Sequence, residues 1–248
     1  MKHVIGFFGG DSQVGTTMIA QSVAELLKER GKRVLLILGS GKYGGEFVHA
    51  GARSSLDDLK AGIRSGKISE DDLDQVIEEV KGIWVLPSVR NPMSVRYFPE
   101  NTYEVMLASA GEEFDYIVID GGEDANSGLM ISALNISDDR FFITTQQSKS
   151  VHRFLLLQKN VLEPLQLQGQ LIINKYVADP ALFLKQDVLS LCGREAAFTV
   201  PYIEYGWQAE MEGRTLLHFS RFAKALGNIA DIFVPVEKRA GVWKKSFA

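Results

Sequence analysis

Seven short apolar runs, separated by helix-patterned or turn-rich stretches, set the strongest limit on how this chain folds. They are HVIGFF (3–8), RVLLIL (33–38), IWVLP (83–87), YIVID (116–120), RFFITT (140–145), QLIIN (170–174) and AAFTV (196–200). β-Branched and aromatic residues dominate them and strict alternation is missing, which predicts strands of a parallel sheet covered on both faces. Residues 17–30 place apolar side chains at Ile19, Val23, Leu26 and Leu27, with Gly31 as a stop, and read as a helix. Residues 56–63, 71–80, 103–110, 151–162, 180–192 and 216–232 read as further helices. The one at 71–80 opens on a Ser69-x-x-Asp72 capping box. Strands alternating with helices predict βαβ units and a three-layer, doubly wound, mostly parallel α/β fold. At 46% hydrophobic content, 248 residues suffice for a full core of this kind in one domain. That domain is expected over residues 1–235, with 236–248 as a tail.

Composition removes several classes of function. A net charge of -4 gives no bulk attraction to nucleic acid, so no nucleic-acid partner is expected. A single cysteine, Cys192, excludes an intramolecular disulfide and a cysteine-based zinc cluster. The histidines, His3, His49, His152 and His218, are scattered and suggest no metal constellation. The start, MKHVIGFFGG, lacks a signal-peptide cleavage pattern, and no apolar run approaches the roughly 18 residues of a membrane span. A cytoplasmic protein is the expectation.

The stretch GFFGGDSQVGTTMIAQSVAEL (6–26) has the outline of a phosphate-binding loop: Gly10 and Gly15 with four residues between them, a hydroxyl at Thr17, a strand before and a helix after. The amides of residues 11–17 would form an anion nest at the amino end of that helix, where the dipole also favours negative charge. Thr17 would offer its hydroxyl to Mg²⁺. The plainer alternative is a glycine turn that only joins strand to helix. Where such a loop normally carries lysine, the chain has Thr16.

Over nearly its whole length the sequence resembles the MinD/ParA family of P-loop ATPases, whose loop reads KGGVGKTT. Val14, Gly15 and Thr17 match that loop, while Asp11 stands at the position of the family's signature lysine and Thr16 at that of its second lysine. FDYIVIDGG (114–122) resembles the family's acidic strand, making Asp120 the metal carboxylate that acts through water. LIINKY (171–176) resembles the base-reading strand end, with Asn174 as the adenine contact, and Pro201 in TVPYIEY matches the proline loop near the base. SSLDDLKAGI and WVLPS also have counterparts in family members. The resemblance implies a P-loop NTPase fold of the MinD/ParA type that takes ATP or ADP with Mg. It implies a nucleotide site of Gly10, Asp11, Ser12, Gln13, Val14, Gly15, Thr16, Thr17, Asn174 and Pro201, with Thr17 and Asp120 for the metal. Because the family pairs through its nucleotide face, it also implies a homodimer.

The departures bear on chemistry. After its second strand the family has D-x-D, whose first aspartate polarises the attacking water; here Leu38 and Ser40 stand at those positions. Phosphoryl transfer runs on positioning and charge neutralisation, so losing two cations and that carboxylate removes much of the equipment. A carboxylate at Asp11 repels a phosphate charge about 5 Å away by roughly 3 kcal/mol at an effective dielectric near 20. A replacement cation would have to come from Lys42 in GSGKYGG, or from Lys149 or Arg153 after the fifth strand. The expectation is at most a weak ATPase. The Val14-Gly15-Thr16-Thr17 form is similar to loops of the TadZ/CpaE branch, which positions pilus-assembly machinery. A localisation or assembly scaffold with a degenerate Walker A loop and protein partners is the resulting reading. A slow true ATPase and a nucleotide-free interaction protein are the alternatives.

The tail, PVEKRAGVWKKSFA, sets Val236, Ala240, Trp243 and Phe247 on one helical stripe beside Lys238, Arg239, Lys244 and Lys245. It reads either as a frayed or packed terminus or as a weak peripheral contact at the inner face of the membrane. His152 beside Ser148 and Ser150 suggests a nucleophile pair, but with no acid to orient the imidazole, capping is the reading. Phe141, Phe142 and Leu155–Leu157 read as core.

Overall fold

A computed structural model describes residues 2–41, 54–109 and 113–236. All seven apolar runs become strands: β1 (His3–Gly9), β2 (Val34–Leu38), β4 (Ile83–Leu86), β5 (Tyr116–Asp120), β6 (Asp139–Thr144), β7 (Gln170–Tyr176) and β8 (Ala197–Pro201). With β3 (Glu78–Val80) they form an eight-stranded sheet in the order β3-β4-β2-β5-β1-β6-β7-β8. Every pairing is parallel except β3 with β4.

The lack of alternation in the strands has a direct cause, because both faces are buried. In β1, Val4 and Phe8 enter one core, while Ile5 and Phe7 enter the other. β2 divides likewise, Leu35 and Ile37 against Leu36 and Leu38. One face is covered by α1 (Thr16–Glu29), α8 (Gly206–Met211) and α9 (Ser220–Ala230). The other carries α2 (Lys60–Ser65), α3 (Glu70–Asp74), α4 (Thr102–Ser109), α5 (Gly128–Ile136), α6 (Ser148–Leu157) and α7 (Lys185–Cys192).

The helix expected over 71–80 is corrected. The Ser69 capping box forms, with Asp72 N 3.2 Å from Ser69 Oγ and Ser69 N 2.9 Å from Asp72 Oδ2, but the helix stops at Asp74. Glu78–Val80 then turns back onto β4 through Lys81 and Gly82, both at positive φ (53° and 78°), as a two-residue hairpin requires. Leu73, Val76, Ile77 and Val80 fit a helical stripe, which disguised the hairpin. Two more helices were not expected. α5, GLMISALNI, is too uniformly apolar to show a stripe, and α8 is a single short turn. The helix expected from Pro180 begins at Lys185, and the one expected over 216–232 is a short turn at Leu216–His218 followed by α9.

The crossover β1–α1–β2 passes over β5 on one face, and β5–α5–β6 passes over β1 on the other. The carboxyl ends of β1 and β5 therefore sit where connections diverge, the usual place for a ligand crevice in an open α/β sheet.

Candidate nucleotide site

The loop after β1 is tied to the sheet through its backbone. Gly10 N donates to Ile143 O at 2.8 Å, and Gly121 N donates to Phe7 O at 2.8 Å. Gly10 is required by a close approach: a Cβ there would lie 2.8 Å from Cβ of Phe154 and 3.0 Å from its Cα, so α6 rests directly on the loop. Gly15 enters α1 with φ 90°, and a Cβ there would also lie 2.5 Å from Nδ2 of Asn174. Gln13, with φ 59°, shares the left-handed region. Among the described residues the amides of Gln13 and Gly15 meet no hydrogen-bond acceptor, so they stay available to an anion at the helix start.

Below the loop lies a buried wall. Thr17 Oγ1 donates to Asp120 Oδ2 at 2.6 Å, and Asp120 is 1% exposed. Gly122 N reaches Asp120 Oδ1 at 3.3 Å. A hydroxyl and a carboxylate side by side are the hard oxygens that Mg²⁺ takes from a protein, the remainder coming from phosphates and water. Among the described residues no cluster of three His, Cys, Asp or Glu would hold a metal alone, so any Mg²⁺ here would depend on a ligand's oxygens. The residues present fit that requirement. Tyr103 adds a wholly buried hydroxyl that meets no hydrogen-bond partner among the described residues and lies near enough to Asp120 to feel its charge. Burial first, then that charge, pushes the Tyr103 phenol far up.

Asn174 lies near the carboxyl end of β7, and Pro201 ends the neighbouring β8. Asn174 is buried and its Nδ2 donates to Val14 O at 2.7 Å, so one arm of the amide holds the loop. Pro201 is paired with Tyr176, and Tyr202 N donates to Tyr176 O at 3.0 Å. Leu38 is buried in the core, in register with Asp120 on the adjacent strand. The end of β2 beside Asp120 thus carries an apolar side chain. Thr16 is buried and brings no charge.

On the rim, Asp11 Oδ1 accepts from Ser12 N at 2.7 Å and from Nη1 of Arg153. Burial acts to raise the Asp11 carboxyl, but the Arg153 hydrogen bond, the Ser12 amide and the charges of Arg153 and Lys149 together hold it below the ordinary range. Lys175, which sequence reasoning missed, places Nζ 2.8 Å from Gln13 O, and burial pushes its ammonium pKa down. Lys175 and Tyr103 reach the site only through long-range packing, and no local signal marks them. Lys42 and residues 237–248 lie outside the described residues. His152 Nδ1 lies 2.8 Å from the carbonyl of Ser148 within α6, and Ser150 Oγ accepts from Thr145 N at 3.1 Å; no side chain caps the start of α6, so the expected capping role is corrected. No described helix is long and apolar enough to cross a membrane.

No protein-family model matches the chain, and no curated protein matches it in sequence. Solved structures match it nearly end to end. The septum site-determining protein MinD from Pyrococcus horikoshii OT3, complexed with Mg-ADP, has a TM-score of 0.76 at 19% identity, covering 98% of this chain and 98% of that one. A ParA family ATPase from Chlorobium tepidum TLS has 0.77 at 20% identity, covering 92% and 97%. MinD in the MinC:MinD cell division protein complex of Aquifex aeolicus has 0.74 at 18% identity, covering 93% and 95%. At these identities the likeness is one of fold: the chain has the P-loop fold of the MinD/ParA ATPases.

Proposed function

We infer that this chain binds ATP or ADP with Mg²⁺, turns it over slowly or not at all, and serves as a localisation or assembly scaffold. The observation that carries the reading is the Thr17–Asp120 contact of 2.6 Å beneath a glycine loop whose Thr16 offers no charge. Thr17 and Asp120 would hold the metal, whose role is to neutralise phosphate charge, while the loop amides would orient the phosphates. Asn174 and Pro201 would flank the base. With Leu38 where a water-orienting carboxylate would be needed, tight positioning without fast hydrolysis is the expected behaviour.

The MinD from Pyrococcus horikoshii is complexed with Mg-ADP, and the Aquifex MinD with MinC. By analogy, this protein would act through a homodimer and through protein partners of a positioning system. The Val14-Gly15-Thr16-Thr17 loop favours the TadZ/CpaE pilus-assembly type. The same reading sets the protein in the cytoplasm, with residues 236–248 as a weak peripheral contact at the inner face of the membrane.

The test is the thermal midpoint of the purified protein with and without millimolar Mg-ATP or Mg-ADP. A ligand at 100 times its dissociation constant adds about 2.7 kcal/mol, a rise of several degrees for a chain of this size. No rise with either nucleotide would leave an interaction protein with an unused cradle. Turnover abolished by Asp120→Ala would instead make it a slow true ATPase.

A further inference from the structure

Asp11 is the side chain least suited to a phosphate cradle, and its partners explain how the fold tolerates it. Its carboxylate takes one loop amide, Ser12 N, and one guanidinium, that of Arg153. An amide and a guanidinium are also the donors with which proteins hold phosphate oxygens. The carboxylate is therefore bound as a phosphate oxygen would be. Lys149, one helical turn before Arg153 on α6, acts on it through its charge, and Lys175 lies on the carbonyl of Gln13. Two cations thus act on one carboxylate, and these three groups together keep a positive charge.

Arg153 stands over the loop because its neighbour Phe154 packs on Gly10 with no side chain between them. The Arg153 side chain is 48% exposed and that of Asp11 9%, so the guanidinium sits at the solvent boundary while the carboxylate faces inward. The Arg153 end of the pair meets solvent, so the guanidinium can change partner without being buried. Of the cations near the loop, Arg153 has the planar fork suited to a phosphate and already holds an anion.

We propose that Asp11 is an internal stand-in for a phosphate at the rim of the cradle, and that Arg153 passes from Asp11 to a nucleotide phosphate on binding. Arg153 then supplies the cation missing at Thr16, and Asp11 competes with the ligand. This rests on the nucleotide-binding reading above.

The experiment is a double-mutant cycle on the full chain, measuring the dissociation constant of the Mg complex of the imido analogue of ATP at fixed ionic strength. The proteins are the wild type, Asp11→Ala, Arg153→Ala and the double variant. Asp11→Ala is expected to tighten binding roughly tenfold and Arg153→Ala to weaken it roughly tenfold, the size of one charge-assisted contact. The decisive comparison lies within the Asp11→Ala background, where Arg153→Ala must still weaken binding. A residue that merely restrains Asp11 would have no effect there, and that result overturns the proposal. Asp11→Ala that leaves affinity unchanged or weaker overturns it too. Both results would leave the nucleotide reading intact, whereas absence of binding in all four proteins removes both.

Discussion

Asp120 and Asp11 stand on either side of one loop, and the surrounding structure treats their charges differently. Asp120 lies in the inner wall, sealed from solvent, with the Thr17 hydroxyl on one oxygen and Phe7 and Leu38 as its register neighbours. Asp11 lies on the outer rim, where a half-exposed guanidinium and a nearby lysine offset its charge. A buried carboxylate demands fixed donors, because its desolvation must be offset by specific contacts. A carboxylate at the rim needs only cations within reach, and these can arise at many surface positions. The inner wall is therefore held by fixed partners, while the rim is held by cations at the solvent boundary.

The comparison is most severely tested at Asp120. Asp120→Asn keeps the shape but removes the charge, and is expected to abolish the Mg-dependent part of nucleotide binding, a loss of roughly tenfold or more in affinity. Titrations with excess Mg²⁺ and with chelator measure it; an unchanged Mg dependence would mean that the inner wall is structural only. Next in size is Asn174→Ala, which strips the Val14 carbonyl of its buried donor. Its expected cost is about 1–3 kcal/mol in urea unfolding. Equal midpoints for variant and wild type would show that Asn174 does not hold the loop.

The smallest effect belongs to the rim. The Asp11 carboxyl is held below the ordinary value because Arg153, the Ser12 amide and Lys149 outweigh burial. Its contribution is complete above the unfolded value of about 3.9 and fades as pH falls through the lowered folded one. The stability gap between wild type and Asp11→Ala should thus be flat from neutral pH to about 5 and close below about 4, never exceeding about 1 kcal/mol. Urea midpoints across that range report it, and a gap that widens on acidification would contradict the ion pair.

The sheet was legible because each strand is a continuous apolar run, and burial on both faces leaves no other pattern. Thr17, Asp120 and Asn174 each stand in a local stretch that the sequence singles out, and the fold brings them to one loop, Thr17 on Asp120 and Asn174 on Val14. The hairpin at 78–86 was hidden because Val76, Ile77 and Val80 satisfy helical spacing equally well, and only the positive φ at Lys81 and Gly82 decides between them. The Asp11–Arg153 pair was hidden for another reason. Its members are 142 positions apart and meet only because β6 lies beside β1 and carries α6 onto Gly10. Arg153 could be named as one surface cation among several, but nothing local marked its partner.

At Gly10 and Gly15 the loop is specified by what those residues lack. The close passage of α6, the amide of Asn174 and the left-handed turn into α1 set the outline of the cradle. None of these contacts uses the side chain of Asp11, Ser12 or Gln13. Contour and charge at this loop are thus set by different residues. The side chains at positions 11 to 13 can therefore change without moving the backbone that surrounds them.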